Sequence, residues 1–229
     1  KFIRHELQSD VKDFHVWYFL GDDKGNLWVG TYLGRLFRFD GKIFTDEGKR
    51  FGLKTDTYLA MAKDRKGMLY FGTFEGVYAY DGSRTVQISE SDGLSSDLVY
   101  VMTADNEDRY LWIGTNQGLS RLDLEEFRRS GKKSIENFGK SEGFSGVECN
   151  SAGVFKDPDG SIWFGTVNGL IRYNPAEYMP NRVESQTHIT GITLFYRDTA
   201  FAQNTVLPYD LNHISFRFTG ICLTNPEKV

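Results

Sequence analysis

Histidine, cysteine and proline are scarce in this chain, and it has no excess of positive charge. Only two cysteines occur among 229 residues. Cys149 and Cys222 form no Cys-x-x-Cys pair and neighbour no histidine cluster, which argues against a metal site and leaves the redox compartment open. Each is expected to be a buried apolar thiol. The formal net charge of −4 offers no basic footprint, so binding of nucleic acid is not expected. No apolar run is longer than that at 16–20, far short of the roughly twenty residues that span a bilayer. No cationic, apolar leader opens the chain, because residues 1–10 already read as strand; a signal peptide is expected upstream, if at all. His-Glu-x-x-His, Gly-x-Ser-x-Gly and Gly-x-x-x-x-Gly-Lys-Ser/Thr are all missing, and the four histidines, His5, His15, His188 and His213, are scattered. Asp157-Pro158-Asp159-Gly160 and Asp22-Asp23-Lys24-Gly25 lack the spaced oxygen ligands and closing Glu of a calcium loop, so they read as turns. No cofactor is implied.

What the chain has in abundance is one phrase, written four times: Trp28-Val29-Gly30-Thr31 with Gly34, Tyr70-Phe71-Gly72-Thr73 with Gly76, Trp112-Ile113-Gly114-Thr115 with Gly118, and Trp163-Phe164-Gly165-Thr166 with Gly169. The spacing of roughly 40 to 50 residues is that of a four-stranded propeller blade. Each phrase comes after an apolar strand and an Asp/Gly turn, at 23–25, 64–67, 105–109 and 157–160. Asp can bond its own backbone and Gly accepts positive φ, so these turns predict antiparallel hairpins. A third strand comes after each phrase, at 36–39, 77–80, 119–122 and 170–173, and a fourth, outer strand at 43–45, 86–88 and 135–138. Residues 2–7 read as a further outer strand, completing four units. The recurring Trp and Tyr are expected as packing between blades, and the Gly-Thr pair as scaffold.

Two departures interrupt the period. The stretch from Asp123 to Gly143 is longer than those from Asp40 to Gly52 and from Asp81 to Gly93. It carries Glu125, Glu126, Arg128, Arg129, Lys132 and Lys133 and is expected as a solvated surface excursion. Blade one has one extra residue between Gly34 and Asp40, which predicts a bulge near Arg35. Beyond Asn174-Pro175 the repeat stops. The domain reading is therefore four blades over 1–175, a linker over 176–186, and over 187–229 strands with Ile189, Gly191, Thr193 and Phe195 on one side, then Ile214, Phe216 and Phe218. An immunoglobulin-like sandwich needs roughly 100 residues, so this module is expected to be cut short.

Gly-Leu (Gly52-Leu53, Gly93-Leu94), an apolar strand, Asp-x-x-Gly, Leu-Trp-Val/Ile-Gly-Thr, two variable residues, Gly-Leu and Arg-Tyr/Leu-Asp/Asn together resemble the two-component regulator propeller repeat. The segment 189–195, then Leu207-Pro208-Tyr209 and 213–218, resembles the start of that family's triple-tyrosine domain. The resemblance implies an all-β fold of propeller blades followed by a truncated immunoglobulin-like sandwich. The family's propellers have more blades than four; four units could close into a small ring, with residues 2–7 completing the blade of Trp163, but the cut-short sandwich favours the C-terminal part of a larger propeller. It also implies the periplasmic, ligand-sensing region of a two-component system sensor, a histidine kinase or hybrid regulator. Such a region takes an oligosaccharide, forms a homodimer in the full-length protein, relays its signal through the sandwich, and meets the membrane only through a helix outside these residues. Any kinase lies beyond the chain, so these residues are not themselves an enzyme.

Propellers bind ligands at the channel mouth, where loops leading into the inner strands meet loops joining the second and third strands. The latter loops hold variable residues that the fold does not dictate. Tyr32, Phe74, Glu75, Asn116, Gln117 and Asn168 are therefore the first ligand-binding candidates, and Trp17, Arg50, Asp56, Glu148 and Asn150 come next, from the lead-in loops. Tyr or Phe offers a flat face to the C–H side of a pyranose, while Asn, Gln, Glu and Arg satisfy its hydroxyls. The alternatives are a propeller lyase or glycosidase using a carboxylate pair such as Glu75 and Glu148, and a scaffold for protein interactions.

Overall fold

The computed structural model describes residues 1–5, 15–53, 57–179, 186–199, 205–211 and 213–221. By its internal contacts the chain divides into two compact units, Lys1–Glu177 and Tyr178–Val229. The expected linker spans that boundary, although residues 180–185 lie outside the described residues.

The first unit repeats one hairpin plan. Blade one comprises β1 (His15–Gly21), β2 (Leu27–Tyr32), β3 (Leu36–Phe39) and β4 (Phe44–Asp46), followed by a short helix α1 (Glu47–Arg50). Blade two comprises β5 (Tyr58–Lys63), β6 (Leu69–Thr73), β7 (Gly76–Tyr80) and β8 (Thr85–Ile88). Blade three comprises β9 (Val99–Ala104), β10 (Tyr110–Thr115), β11 (Gly118–Asp123), a helix α2 (Leu124–Ser130) and β12 (Ile135–Phe138). Blade four holds β13 (Cys149–Lys156), β14 (Ile162–Thr166) and β15 (Gly169–Tyr173). In every sheet the strands pair with their sequence neighbours, antiparallel throughout. The chain is therefore mostly β, with blade-like sheets as the repeat predicts.

Turn chemistry sets these hairpins. Asp22 Oδ1 accepts from the backbone amides of Lys24 and Asn26, and Asp64 Oδ1 from those of Lys66 and Met68. The Asp thereby closes the turn from within. Between blades the packing is aromatic. One cluster joins Trp28 and Leu36 of blade one to Tyr58, Met61, Phe71 and Tyr78 of blade two, and a second joins blades two and three around Tyr70, Val99, Leu111 and Ile113. The motif glycine makes room for the following blade. A Cβ on Gly72 would stand 2.7 Å from Val99 Cγ1, and one on Gly114 2.6 Å from Val101 Cγ1 and 2.7 Å from Cys149 Sγ.

Several expectations need correction. The charged excursion in blade three is no solvated loop, because α2 buries Leu124 and Phe127 in the cluster between blades two and three. Composition concealed this, since two apolar residues among many charges are enough to seat one helical turn. Residues 2–7 form no outer strand over their described part, 2–5; instead His5 packs edge-on against Phe39 and Phe44 of blade one. Blade four accordingly has three strands among the described residues. The extra residue of blade one makes no bulge in the β2–β3 ladder, whose register is regular from Leu27 to Gly30; the loop absorbs it, with Leu33 at φ 55°.

The array is open at both ends. Val16 and Phe19 on one face of blade one are exposed, as are Phe155 and Leu170 of blade four. Cys149 is buried and free, and burial pushes its thiol up to about 12; Cys222 lies outside the described residues.

In the second unit β16 (Gln186–Leu194) is flanked by β17 (Arg197–Asp198) and β18 (Ile214–Ile221) in one antiparallel sheet. Phe195 does not extend the β16 face as expected. Phe195 and Tyr196 take φ of 48° and 64° and form the two-residue turn between β16 and β17. The register also shifts between Ile189 and Gly191. Among the described residues this unit holds a single sheet.

Candidate functional site

In each blade the motif threonine holds the two variable residues next to it. Thr73 Oγ1 donates to Gly76 O at 2.9 Å and accepts from Glu75 N at 2.9 Å. Thr115 does the same with Gly118 O and Gln117 N, both at 3.0 Å, and Thr166 with Gly169 O and Asn168 N. Thr31 donates to Arg35 O at 2.7 Å across the longer loop. These loops are then tied to lead-in segments: Leu33 N donates to Thr57 Oγ1, Gly76 N to Asp97 O, and Val167 N to Glu148 O. Both loop sets therefore meet at one end of the blades, on a framework built from the threonine hydroxyls and backbone groups.

The side chains divide by chemistry. On blades one and two, Trp17 lies 6.0 Å from Tyr32 and Tyr32 lies 6.2 Å from Phe74, ring centroid to ring centroid. Trp17 is 47% and Phe74 43% exposed, so this aromatic run faces solvent. Beside it Glu75 Oε2 accepts from Tyr78 at 2.9 Å, and Gln87 donates to the Glu75 carbonyl. On blades three and four the groups are polar. Glu148 lies close enough to Tyr100 to act on its phenol, which is pushed up by burial and then by that carboxylate. The half-buried Asn116 holds its Oδ1 inward, with no hydrogen-bond partner among the described residues. Below it Ser95 bonds both Thr115 and Ser120 at 3.0 Å, and Ser120 donates to Asn137 at 2.7 Å. Gln117, Asn168 and Asn150 are exposed.

Two candidates fall away from this group. Asp56 lies outside the described residues. Arg50 is the last residue of α1, where its guanidinium pairs with the buried Glu47 at 3.2 Å. It lines a pocket with Asp22, Asn26, Lys66 and Asp81, at the Asp/Gly-turn end of the strands. The helix turned it there, which the strand pattern alone did not reveal. A neighbouring pocket at that end contains Asp23, Lys63, Asp105 and Lys156. Within it Lys63 pairs with Asp23 at 2.5 Å and Lys156 donates to Ala104 O at 2.8 Å.

Tyr100 escaped the sequence reading. The signal was available, because Val99 pairs with Thr115 as Tyr58 does with Thr73, so Tyr100 stands in its strand where Leu59 stands in β5. Glu75, held by Tyr78, belongs to blade two, and Glu148 to the segment leading into blade four. Among the described residues no three His, Cys, Asp or Glu come together as metal ligands, and no helix is long and apolar enough to cross a membrane.

Comparison with solved structures matches this architecture. The extracellular domain of BT3049 from B. thetaiotaomicron, described as a hybrid two component system, aligns with a TM-score of 0.65 and 21% identity over 90% of this chain and 29% of that one. The extracellular domain of BT4673 from the same organism, described as a one component system, aligns at 0.57 and 22%, over 78% and 24%. The likeness is one of fold. This chain spans less than a third of either. No protein-family model matches the chain, and no curated protein matches it by sequence.

Proposed function

We propose that this chain is the ligand-binding part of an extracytoplasmic sensor of two-component type, and that its ligand is an oligosaccharide. The observation that carries this reading is the exposed run Trp17–Tyr32–Phe74 set beside Asn116, Gln117, Glu148 and Asn150 on one end of the blades. Flat aromatic faces take the C–H side of a sugar ring, and amide and carboxylate groups take its hydroxyls. The fold likeness to extracellular sensor domains supports the location, a periplasmic one, and supports a non-catalytic role. In this reading residues 1–175 sense and residues 187–229 belong to a triple-tyrosine sandwich that relays occupancy within a homodimer, by favouring one of two arrangements.

Calorimetric titration against a panel of plant-derived oligosaccharides tests the reading. Binding of at least one member, lost on Tyr32→Ala with Phe74→Ala, is the expected result. Turnover of a bound sugar, abolished by Glu75→Ala or Glu148→Ala, would replace the sensor by an enzyme.

A further inference from the structure

Every inner strand carries the same irregularity. The pairing with the second strand skips between Val16 and Tyr18, between Tyr58 and Ala60, between Val99 and Val101, and between Cys149 and Val154. One residue, Trp17, Leu59 or Tyr100, is left out of the ladder in the first three blades. In blade four the interruption widens to Asn150–Gly153, with Ala152 at φ 57°.

A bulge re-aims the side chain it leaves unpaired, and the packing shows its direction. In β5, Tyr58 and Met61 enter the cluster shared with blade one, and Ala60 and Ala62 enter the cluster shared with blade three; Leu59 belongs to neither. In β9, Val99 and Met102 face blade two, while Tyr100 again joins no cluster. In β1, Tyr18 and Leu20 face blade two, and Trp17 stands apart at 47% exposure. Because these strands are the edge strands of their sheets and neighbour one another in turn, a side chain aimed at neither blade face is aimed inward.

We infer that the accessible bulge positions Trp17, Tyr100 and Asn150 form a second tier of ligand contacts, the buried Leu59 standing behind them, and that Tyr100 with Glu148 makes the site select an uncharged glycan over an acidic one. The inference rests on the proposed sensor reading and adds the ligand's charge class. Trp17 extends the aromatic wall of Tyr32 and Phe74, and Tyr100 and Asn150 present hydrogen-bonding groups. The half-buried Glu148, whose backbone carbonyl holds Val167 N, offers its carboxylate lone pairs to ligand hydroxyls beside Tyr100. None of the assembled side chains is cationic, so a uronic carboxylate or sulfate would meet Glu148 and Glu75 without a counter-charge.

Titration of the full chain with cellohexaose, mannohexaose, arabinohexaose and hexagalacturonic acid separates the possibilities. A neutral hexaose is expected to bind, Tyr100→Phe and Glu148→Gln each to weaken it about tenfold, the loss of one ligand-side hydrogen bond, and hexagalacturonic acid to bind only after Glu148→Gln. A melting temperature matching wild type certifies each variant, and the exposed Asn150→Ala replaces Tyr100→Phe if the latter does not fold. Undiminished binding in Tyr100→Phe and Asn150→Ala, with loss in Tyr32→Ala, would overturn the bulge assignment and leave the sensor reading standing. Equal binding of hexagalacturonic acid by wild type would overturn the charge selection alone. Binding of none of the four overturns both the inference and the oligosaccharide reading beneath it.

Discussion

The indole Nε1 of Trp28 donates to Oδ2 of Asp22 at 2.9 Å, so the turn that opens the motif also orients its largest side chain. Tyr70 and Asp64 repeat the bond through a phenol at 3.0 Å, and Trp163 and Asp157 repeat it at 2.6 Å. Blade three breaks the series. One more residue separates Asp105 from Trp112, so Asp105 serves Arg109 N and Tyr110 N while Trp112 Nε1 is buried without a partner among the described residues. Trp28→Phe should therefore destabilise the fold by about 1 kcal/mol more than Trp112→Phe, since only the former removes a hydrogen bond, leaving Asn26 Nδ2 as the remaining donor to Asp22 Oδ2. Equilibrium urea unfolding of the two variants compares them directly.

Acid should weaken the blades through the same turns. Asp22 is held below its usual range: burial opposes this, but bonds from Asn26, Trp28 and the amides of Asn26 and Lys24 outweigh it. Asp81 is lowered chiefly by the Arg84 and Ser83 amides. A carboxylate with a folded value below the unfolded value of about 3.9 stabilises the fold above that pH. Its contribution is lost as pH falls through the folded value. Melting temperature should thus stay level from neutral pH to about 5 and drop below about 4, with a shallower drop in Asp22→Asn.

Removing one guanidinium should loosen two blades together. Arg128 of α2 donates through Nε to Asp64 at 2.9 Å and through Nη2 to Asp108 at 2.8 Å, tying the turns of blades two and three. The Asp64 side chain is fully buried. Arg128→Ala leaves that charge unpaired and should cost about 3–5 kcal/mol, while Arg128→Lys recovers only part because an ammonium lacks the planar fork. Chemical denaturation of the three proteins gives the ranking; equal stability of Arg128→Ala and wild type would refute the clamp.

The motif glycines should differ in tolerance according to the neighbour that each one faces. Gly114→Ala drives a Cβ against Val101 and Cys149 and should destabilise by about 1–3 kcal/mol. At Gly165 the nearest neighbour of such a Cβ is Gly153 at 3.6 Å, ordinary contact, so Gly165→Ala should be near neutral. Parallel thermal melts would expose any reversal of this order.

Much of this architecture is legible in the sequence because it rests on local chemistry. Asp at 22, 64 and 157, the paired glycines and the Gly-Thr step each demand a particular backbone, and they recur in phase. The features that stayed hidden depend on contacts at a distance. Nothing local marks Leu124 and Phe127 as core among their charged neighbours, and Arg50 looks like a loop residue until α1 turns it toward Glu47. His5 reads as part of a strand until Phe39 and Phe44 capture its ring. The candidate site was legible at the loop pairs, where the period frames them, but not at Tyr100, because a bulge shifts alternation by one residue and disguises an inward side chain as an interblade one.

The threonine clamp gives each blade the character of a cassette. Its hydroxyl secures the loop ends through backbone groups alone, so the two residues between can be exchanged without disturbing what holds them. Phe-Glu, Asn-Gln and Val-Asn already occupy that one frame within a single chain, and Tyr-Leu a longer variant of it in which Thr31 engages Arg35. Specificity can consequently drift one blade at a time, at almost no cost in folding, and grafting a loop pair from one blade to another is a practical route to altered recognition.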